Sequence, residues 1–211
     1  NYPENWLMSN NNGDITNFDN ISLIANNLLN KSGNKKPNLY TSDLGFDVSD
    51  DYNNQEIKHM QANKGQILLC IKILENRGNC VIKHFTFFED DTLAYLMLFS
   101  KLFEKCYIYK PFSSKELNSE VYIVGISFKA ALNTDRILLE KLLNKCLMTS
   151  EKATIQKNLV QFKTNIYLKT EKIFERQIRR LDLAVSLAKE IKDNTGDNII
   201  NNKKEYIINK N

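Results

Sequence analysis

Histidine is scarce in this chain, with only His59 and His84 among 211 residues. Neither belongs to a cluster with metal-ligand spacing, so a zinc mechanism is not expected and no metal site is assigned. The four cysteines (Cys70, Cys80, Cys106, Cys146) are widely separated and form no CxxC pair. That excludes the framework of a small disulfide-stapled secreted domain and favours free thiols in a reducing compartment. A run of about 18 apolar residues, which a membrane span needs, is also missing, as is a basic-then-apolar leader. No large charge of one sign is present either. The net charge of +4 and the pI near 8.7 permit a polyanionic partner without demanding one. The chain enters at Asn1 and passes directly into Tyr2-Pro3-Glu4-Asn5-Trp6, which reads as a fragment or processed form. Trp6 is a candidate for a loop over a ligand.

What the chain does contain is an alternation of helical and strand patterns. Ile21, Ile24, Leu28 and Leu29 share one helical face over 20–30, and Lys31-Ser32-Gly33-Asn34 closes that helix. Asn38–Thr41 reads as a short strand. A long helix is expected over 55–75, with Ile57, Met60, Ile67, Leu68, Ile71 and Leu74 inward. Cys80-Val81-Ile82 is the next buried strand, and Asp90 to Phe103 a further helix. Lys105–Lys110 and Val121–Ile126 are strands joined by a loop too short for a crossover helix, so they pair antiparallel at a sheet edge. This order predicts an α/β fold with a mostly parallel sheet. From Asn133 the chain turns helical, with a second long helix over 150–193 carrying the basic cluster Arg176, Arg179, Arg180. The expected organisation is a core over 1–132 and a helical C-terminal extension over 133–211, whose tail from Asn194 is expected to be disordered.

Three charged residues sit beside the strand runs. Asp43 follows the strand at Thr41, Lys83 ends the strand at Ile82, and Glu120 opens the strand at Val121. Individually each reads as a turn residue or a solvated strand tip. In a right-handed α/β sheet, however, Asp43 and Lys83 lie at C-terminal strand ends, and Glu120 begins an antiparallel strand on the same side. All three therefore gather at one rim, where open α/β sheets hold ligands. A lysine flanked by carboxylates suits proton transfer from a weakly acidic hydroxyl.

With their surroundings these residues resemble a known family. Asp43, Lys83 and Glu120 fit the last three members of the Lys-Asp-Lys-Glu tetrad of FtsJ-type RNA 2′-O-methyltransferases. Lys110-Pro111-Phe112-Ser113-Ser114 and Asn118-Ser119-Glu120-Val121-Tyr122-Ile123-Val124 are similar to that family's segment running from Lys-Pro to Ser-Glu-x-Tyr-x-Val. Gly13-Asp14-Ile15-Thr16 with Asn20-Ile21, Ser42-Asp43-Leu44-Gly45-Phe46-Asp47-Val48, and Asn53-Asn54-Gln55-Glu56 are similar to the mRNA cap-1 branch. The resemblance covers roughly residues 5–130. With the composition, it points to a large DNA virus, and hence to a cytoplasmic setting, in a viral factory or a virion, with the nucleus as the alternative for a cellular protein.

The resemblance implies a Rossmann-like S-adenosylmethionine-dependent methyltransferase fold. It implies that Asp14 and Asp43 contact S-adenosyl-L-methionine and that Asp43, Lys83 and Glu120 are catalytic. Asn53, Asn54, Gln55, Ser114 and Glu120 would meet the RNA. The substrate would be capped mRNA, methylated on the 2′-OH of the first transcribed nucleotide. An enzyme of the same fold acting on ribosomal or transfer RNA is the alternative, as is a non-catalytic RNA-binding subunit. A capping-machinery protein is a candidate partner for the C-terminal helices, and no membrane is expected. The family's glycine-rich cofactor turn has no counterpart in Gly33 or Gly65, and the tetrad's first lysine is not found. Both belong upstream of Asn5 in the family, so truncation is the expectation.

Overall fold

The computed structural model describes residues 13–46, 48, 51, 54–115 and 117–193. Its elements run α1 (Phe18–Lys31), β1 (Leu39–Ser42), α2 (Gln55–Ile73), β2 (Asn79–His84), α3 (Asp90–Lys101), β3 (Phe103–Tyr109), β4 (Val121–Phe128), α4 (Thr134–Leu143) and α5 (Thr149–Asp193). The sheet order is β1-β2-β4-β3. β1 pairs parallel with β2, while β4 is antiparallel to both β2 and β3. Three strands thus point one way and β4 alone is reversed, as the short β3–β4 connection requires. The expected α/β fold with its edge hairpin is present. Trp6 and the tail 194–211 lie outside the described residues.

Local signals set the element ends. Asn17 caps α1 by accepting from the Asp19 N–H at 2.9 Å. At the other end Gly33 and Asn34 take positive φ of 63° and 62°, the left-handed stop foreseen for this helix. On the strands, burial alternates with the pleat. Cys80, Ile82 and His84 face the core from β2, and Val121 and Ile123 do so from β4. Leu93, Tyr95 and Phe99 of α3 and Ile67 and Ile71 of α2 complete that core. Each such leucine, isoleucine or phenylalanine contributes about 1.5–3 kcal/mol through removal from water. Leu139 and Leu143 of α4 and Ile155, Leu159 and Ile166 of α5 belong to the same cluster.

One expectation based on apolar periodicity is corrected. Ile57 is 53% exposed, whereas its neighbour Glu56 and His59 are buried. α2 is rotated this way because both polar groups find partners. The Glu56 carboxylate accepts from the Phe88 and Glu89 N–H groups at 2.8 and 2.9 Å, at the start of α3. His59 bonds the Gln55 carbonyl at 2.9 Å and stacks on Phe46. A satisfied polar pair outcompetes one aliphatic side chain for the buried position. In α5, Ile178, Leu181 and Leu183 are exposed, unlike Leu159 and Ile166. The helix has 45 residues, about 68 Å at 1.5 Å each, and outruns the core it packs on. Among the described residues no helix is long and apolar enough to cross a membrane.

Gly65 sits inside α2 where the segment before α1 crosses it. A Cβ there would collide with the Ile15 carbonyl oxygen. The same crossing is tied by Gln61 Nε2 donating to the Thr16 carbonyl at 3.1 Å. Gly65→Ala is expected to lower stability by about 1–3 kcal/mol, although alanine in a helix interior ordinarily gains about 1 kcal/mol over glycine. Urea midpoints of the two proteins give the sign.

Candidate active site

The register of the sheet assembles the site. Ser42 lies opposite Ile82, so the following residues, Asp43 and Lys83, emerge side by side from parallel strands. Their side chains form an ion pair at 3.0 Å, with Lys83 15% and Asp43 80% exposed. So exposed a partner makes the pair worth less than about 1 kcal/mol to stability; its effect is to aim the ammonium. On the other side Lys83 is paired with Tyr122, and directly opposed residues share a face of the sheet. The Tyr122 hydroxyl donates to Glu120 Oε1 at 3.1 Å. Asp43, Lys83, Tyr122 and Glu120 therefore form one row at one rim of the sheet.

Several contacts fix the row in place. Gln66, fully buried in α2, donates to the Lys83 carbonyl at 3.0 Å and to Asn63 Oδ1 at 3.0 Å. Gly45 leaves room for the ammonium, since a Cβ there would stand 3.3 Å from Lys83 Nζ. The Phe85 ring lies 5.7 Å from the same nitrogen. Burial, then the hydrogen bond to Glu120 and the charges of Glu120 and Asp43, raise the Tyr122 pKa. The phenol therefore stays protonated and remains a donor.

The loop between β3 and β4 is drawn around one lysine. Lys110 Nζ donates to the Asn118 carbonyl, to Asn118 Oδ1 and to the Glu120 carbonyl, each at 2.9 Å. Ser114 Oγ lies 3.4 Å from Lys110 Nζ and from Glu120 Oε1. Ser119 donates to Gln55 Oε1 at 3.2 Å, bringing the start of α2 against the loop.

Of the residues expected at a site, Asp43, Lys83, Glu120 and Ser114 come together on the rim, and Gln55 is joined to them through Ser119. Asn54 is exposed and bonds Asp51 at 2.7 Å. Asn53 lies outside the described residues. Asp14 is held elsewhere along α2. Its Oδ1 accepts from the Thr16 N–H at 2.8 Å, which lowers its carboxyl pKa. The Ile15 contact at Gly65 and the Phe46 contact at His59 are six residues apart on α2, about 9 Å along the axis.

Lys110, Tyr122 and Gln66 were not singled out from the sequence. Lys110 and Tyr122 stand inside the segment that carries the resemblance, which offered a signal. Gln66 carries none, because a glutamine in a long helix looks the same buried or exposed.

A lysine–aspartate pair and a glutamate gathered at one rim of a mixed α/β sheet fit the arrangement of a Rossmann-like α/β enzyme. Comparison with known proteins narrows the class. The profile of FtsJ-like methyltransferases matches residues 2–128, and the chain belongs to that family. It is 40% identical over 133 residues to "Probable methyltransferase EP424R" of African swine fever virus, covering 58% of this chain and 31% of that protein. It is 32% identical over 124 residues to human "Cap-specific mRNA (nucleoside-2'-O-)-methyltransferase 1", covering 59% of this chain and 15% of that protein. The chain thus spans under a third of the length of either relative.

Next to Lys83, His84 is buried with Nε2 2.8 Å from the Tyr95 hydroxyl. Burial is the main cause that pushes its pKa down to about 4, and burial also pushes the Tyr95 phenol up. Both shifts hold this pair neutral. The unfolded chain protonates His84 near its ordinary 6.5 while the folded protein resists down to about 4. His84 therefore stabilises the fold fully above pH 6.5, and that stability is lost as pH falls towards 4. The expected loss between roughly pH 7.5 and pH 5 is about 2 kcal/mol, read as a falling urea midpoint. His84→Gln should flatten that slope.

Proposed function

We propose that this protein methylates the ribose 2′-hydroxyl of the first transcribed nucleotide of capped mRNA, using S-adenosylmethionine. The observation that carries the reading is the Lys83–Asp43 pair at 3.0 Å, set beside Tyr122 and Glu120 on one strand rim. Membership of the FtsJ-like family supports methyl transfer, and the printed activity of the human relative supports the cap ribose as acceptor.

The residues present suit the cofactor's chemistry. S-adenosylmethionine combines a hydroxyl-bearing nucleoside with a cationic amino acid end, and both need acceptors. Asp43 offers an exposed carboxylate at the rim. Asp14 offers one held ionised by Thr16, on a segment seated further along α2. An elongated ligand would use both. When bound, it supplies a methyl group on a sulfonium, an electrophile that needs no metal.

The protein's own part is placement and proton handling. Lys83 Nζ, aimed by Asp43 and by the Gln66 bond to its carbonyl, holds the 2′-oxygen and in its uncharged form receives its proton as the methyl is gained. Glu120, oriented by Tyr122 and Ser114, holds the same hydroxyl from the other side. Fixing two reactants in line supplies much of the acceleration in such reactions. General base catalysis adds a factor of about 10²–10⁴.

Lys83→Met is expected to reduce methyl transfer to capped RNA by at least about 100-fold while leaving cofactor affinity within about twofold. Near wild-type turnover by the variant would remove Lys83 from the chemistry. Equal rates on capped and uncapped RNA of one sequence would reassign the substrate from the cap to RNA in general.

A further inference from the structure

A cavity adjoins the rim on the side away from Asp43. It measures about 230 Å³ and lies between the β3–β4 loop and α5, with Phe112, Ser114, Arg176 and Gln177 among its walls. Small-molecule sites run about 300–1,000 Å³, so this one is too small for a whole cofactor and suits one planar base. Phe112 stands at its edge with 92% of its surface exposed. A phenyl ring so placed has no packing role in the fold. Arg176 is exposed and has no ion-pair partner among the described residues, whereas Arg179 of the same basic cluster is paired with Glu175 at 3.2 Å. Gln177 Nε2 reaches the Leu117 carbonyl at 3.4 Å, so α5 is tied to the loop at this level.

Ser114 belongs to both places. It lines the cavity, and its Oγ lies 3.4 Å from Glu120 Oε1. A strand of RNA whose reacting ribose sits at Lys83 and Glu120 would therefore have a neighbouring nucleotide within reach of the cavity. We infer that Phe112 and Arg176 form a docking site for a nucleotide flanking the methylated one, its base stacked on Phe112 and a phosphate on Arg176. An exposed aromatic beside a cation is the general equipment for single-stranded nucleic acid, independent of base identity. Arg176 lies beyond the matched residues 2–128, so α5 adds to the substrate path something the family core does not supply. The inference rests on the 2′-O-methyltransferase reading for the position of the reacting ribose.

The test is fluorescence anisotropy on the full chain with capped RNAs of one and ten nucleotides at several salt concentrations. Phe112→Ala is expected to weaken the ten-mer about fivefold or more. Arg176→Ala should weaken it and reduce the salt slope by about one. Binding of the short RNA should change less than that of the long one in both variants. Circular dichroism melts confirm that the variants fold. Unchanged ten-mer affinity in both folded variants overturns the site. So does loss of self-association on sedimentation with RNA affinity intact, which would make the surface a protein interface. If instead the RNA effects appear and Lys83→Met leaves methylation intact, the docking site stands while the catalytic reading falls.

Discussion

The structure depends on a polar seam buried along α2. Glu56, His59, Asn63 and Gln66 follow at helical spacing and all are buried. Each polar group so placed costs free energy unless it is bonded. The partners are backbone groups at the places that matter for the rim. Glu56 takes two N–H groups at the start of α3, His59 holds the segment after β1 through Phe46, and Gln66 holds the carbonyl of Lys83. Further along, the same helix turns apolar, with Ile67, Ile71 and Ile73 in the core. One end of α2 therefore supplies cohesion and the other supplies position.

That division explains why the rim can hold charged groups without relying on them for stability. The Asp43–Lys83 pair is largely exposed on the aspartate side, and a surface pair contributes little to folding. Its geometry comes from strand register, which any one-residue slip would destroy. The β3–β4 loop is handled differently, with no regular structure to give it shape. Lys110 collects two carbonyls and an amide oxygen of that loop onto one ammonium. Hydrogen bonds to a charged group are about twice as strong as neutral ones, so one side chain can order what would otherwise be a mobile connection. Glu120 emerges from the loop at the position this fixes.

Much of this was legible in the sequence, for reasons that can be named. The strands at Cys80 and Val121 are short apolar runs, and topology alone then placed Asp43, Lys83 and Glu120 on one side. α1, α2, α3 and α5 appeared near their expected limits because their apolar spacing was regular. The direction of α2 about its own axis was not legible. Periodicity ranks Ile57 above Glu56 for burial, and only the backbone N–H groups at Phe88 and Glu89, far away in sequence, reverse the order. Lys110 and Gln66 were missed for the same reason, since what defines them is a partner that the fold brings near. The extent of α5's packing was likewise invisible: its apolar residues continue past Gln177, but the core formed with α3 does not.

The rim therefore has two kinds of wall. On the Asp43 side it is built from strand ends and the seam of α2, where buried bonds leave little freedom. On the Ser114 side it is built from a loop pinned by one lysine and from a helix leaving the core. A reaction that depends on alignment needs the first kind near the reacting atoms, since small displacements there are costly. Recognition of a flexible single strand is better served by the second, where exposed Phe112 and Arg176 can adjust to the bound chain. Ser114, touching both Glu120 and the cavity beside α5, lies where the two walls meet. A change in how the loop is held would consequently reach the chemistry through Glu120, even though the loop itself carries no part of the lysine–aspartate pair.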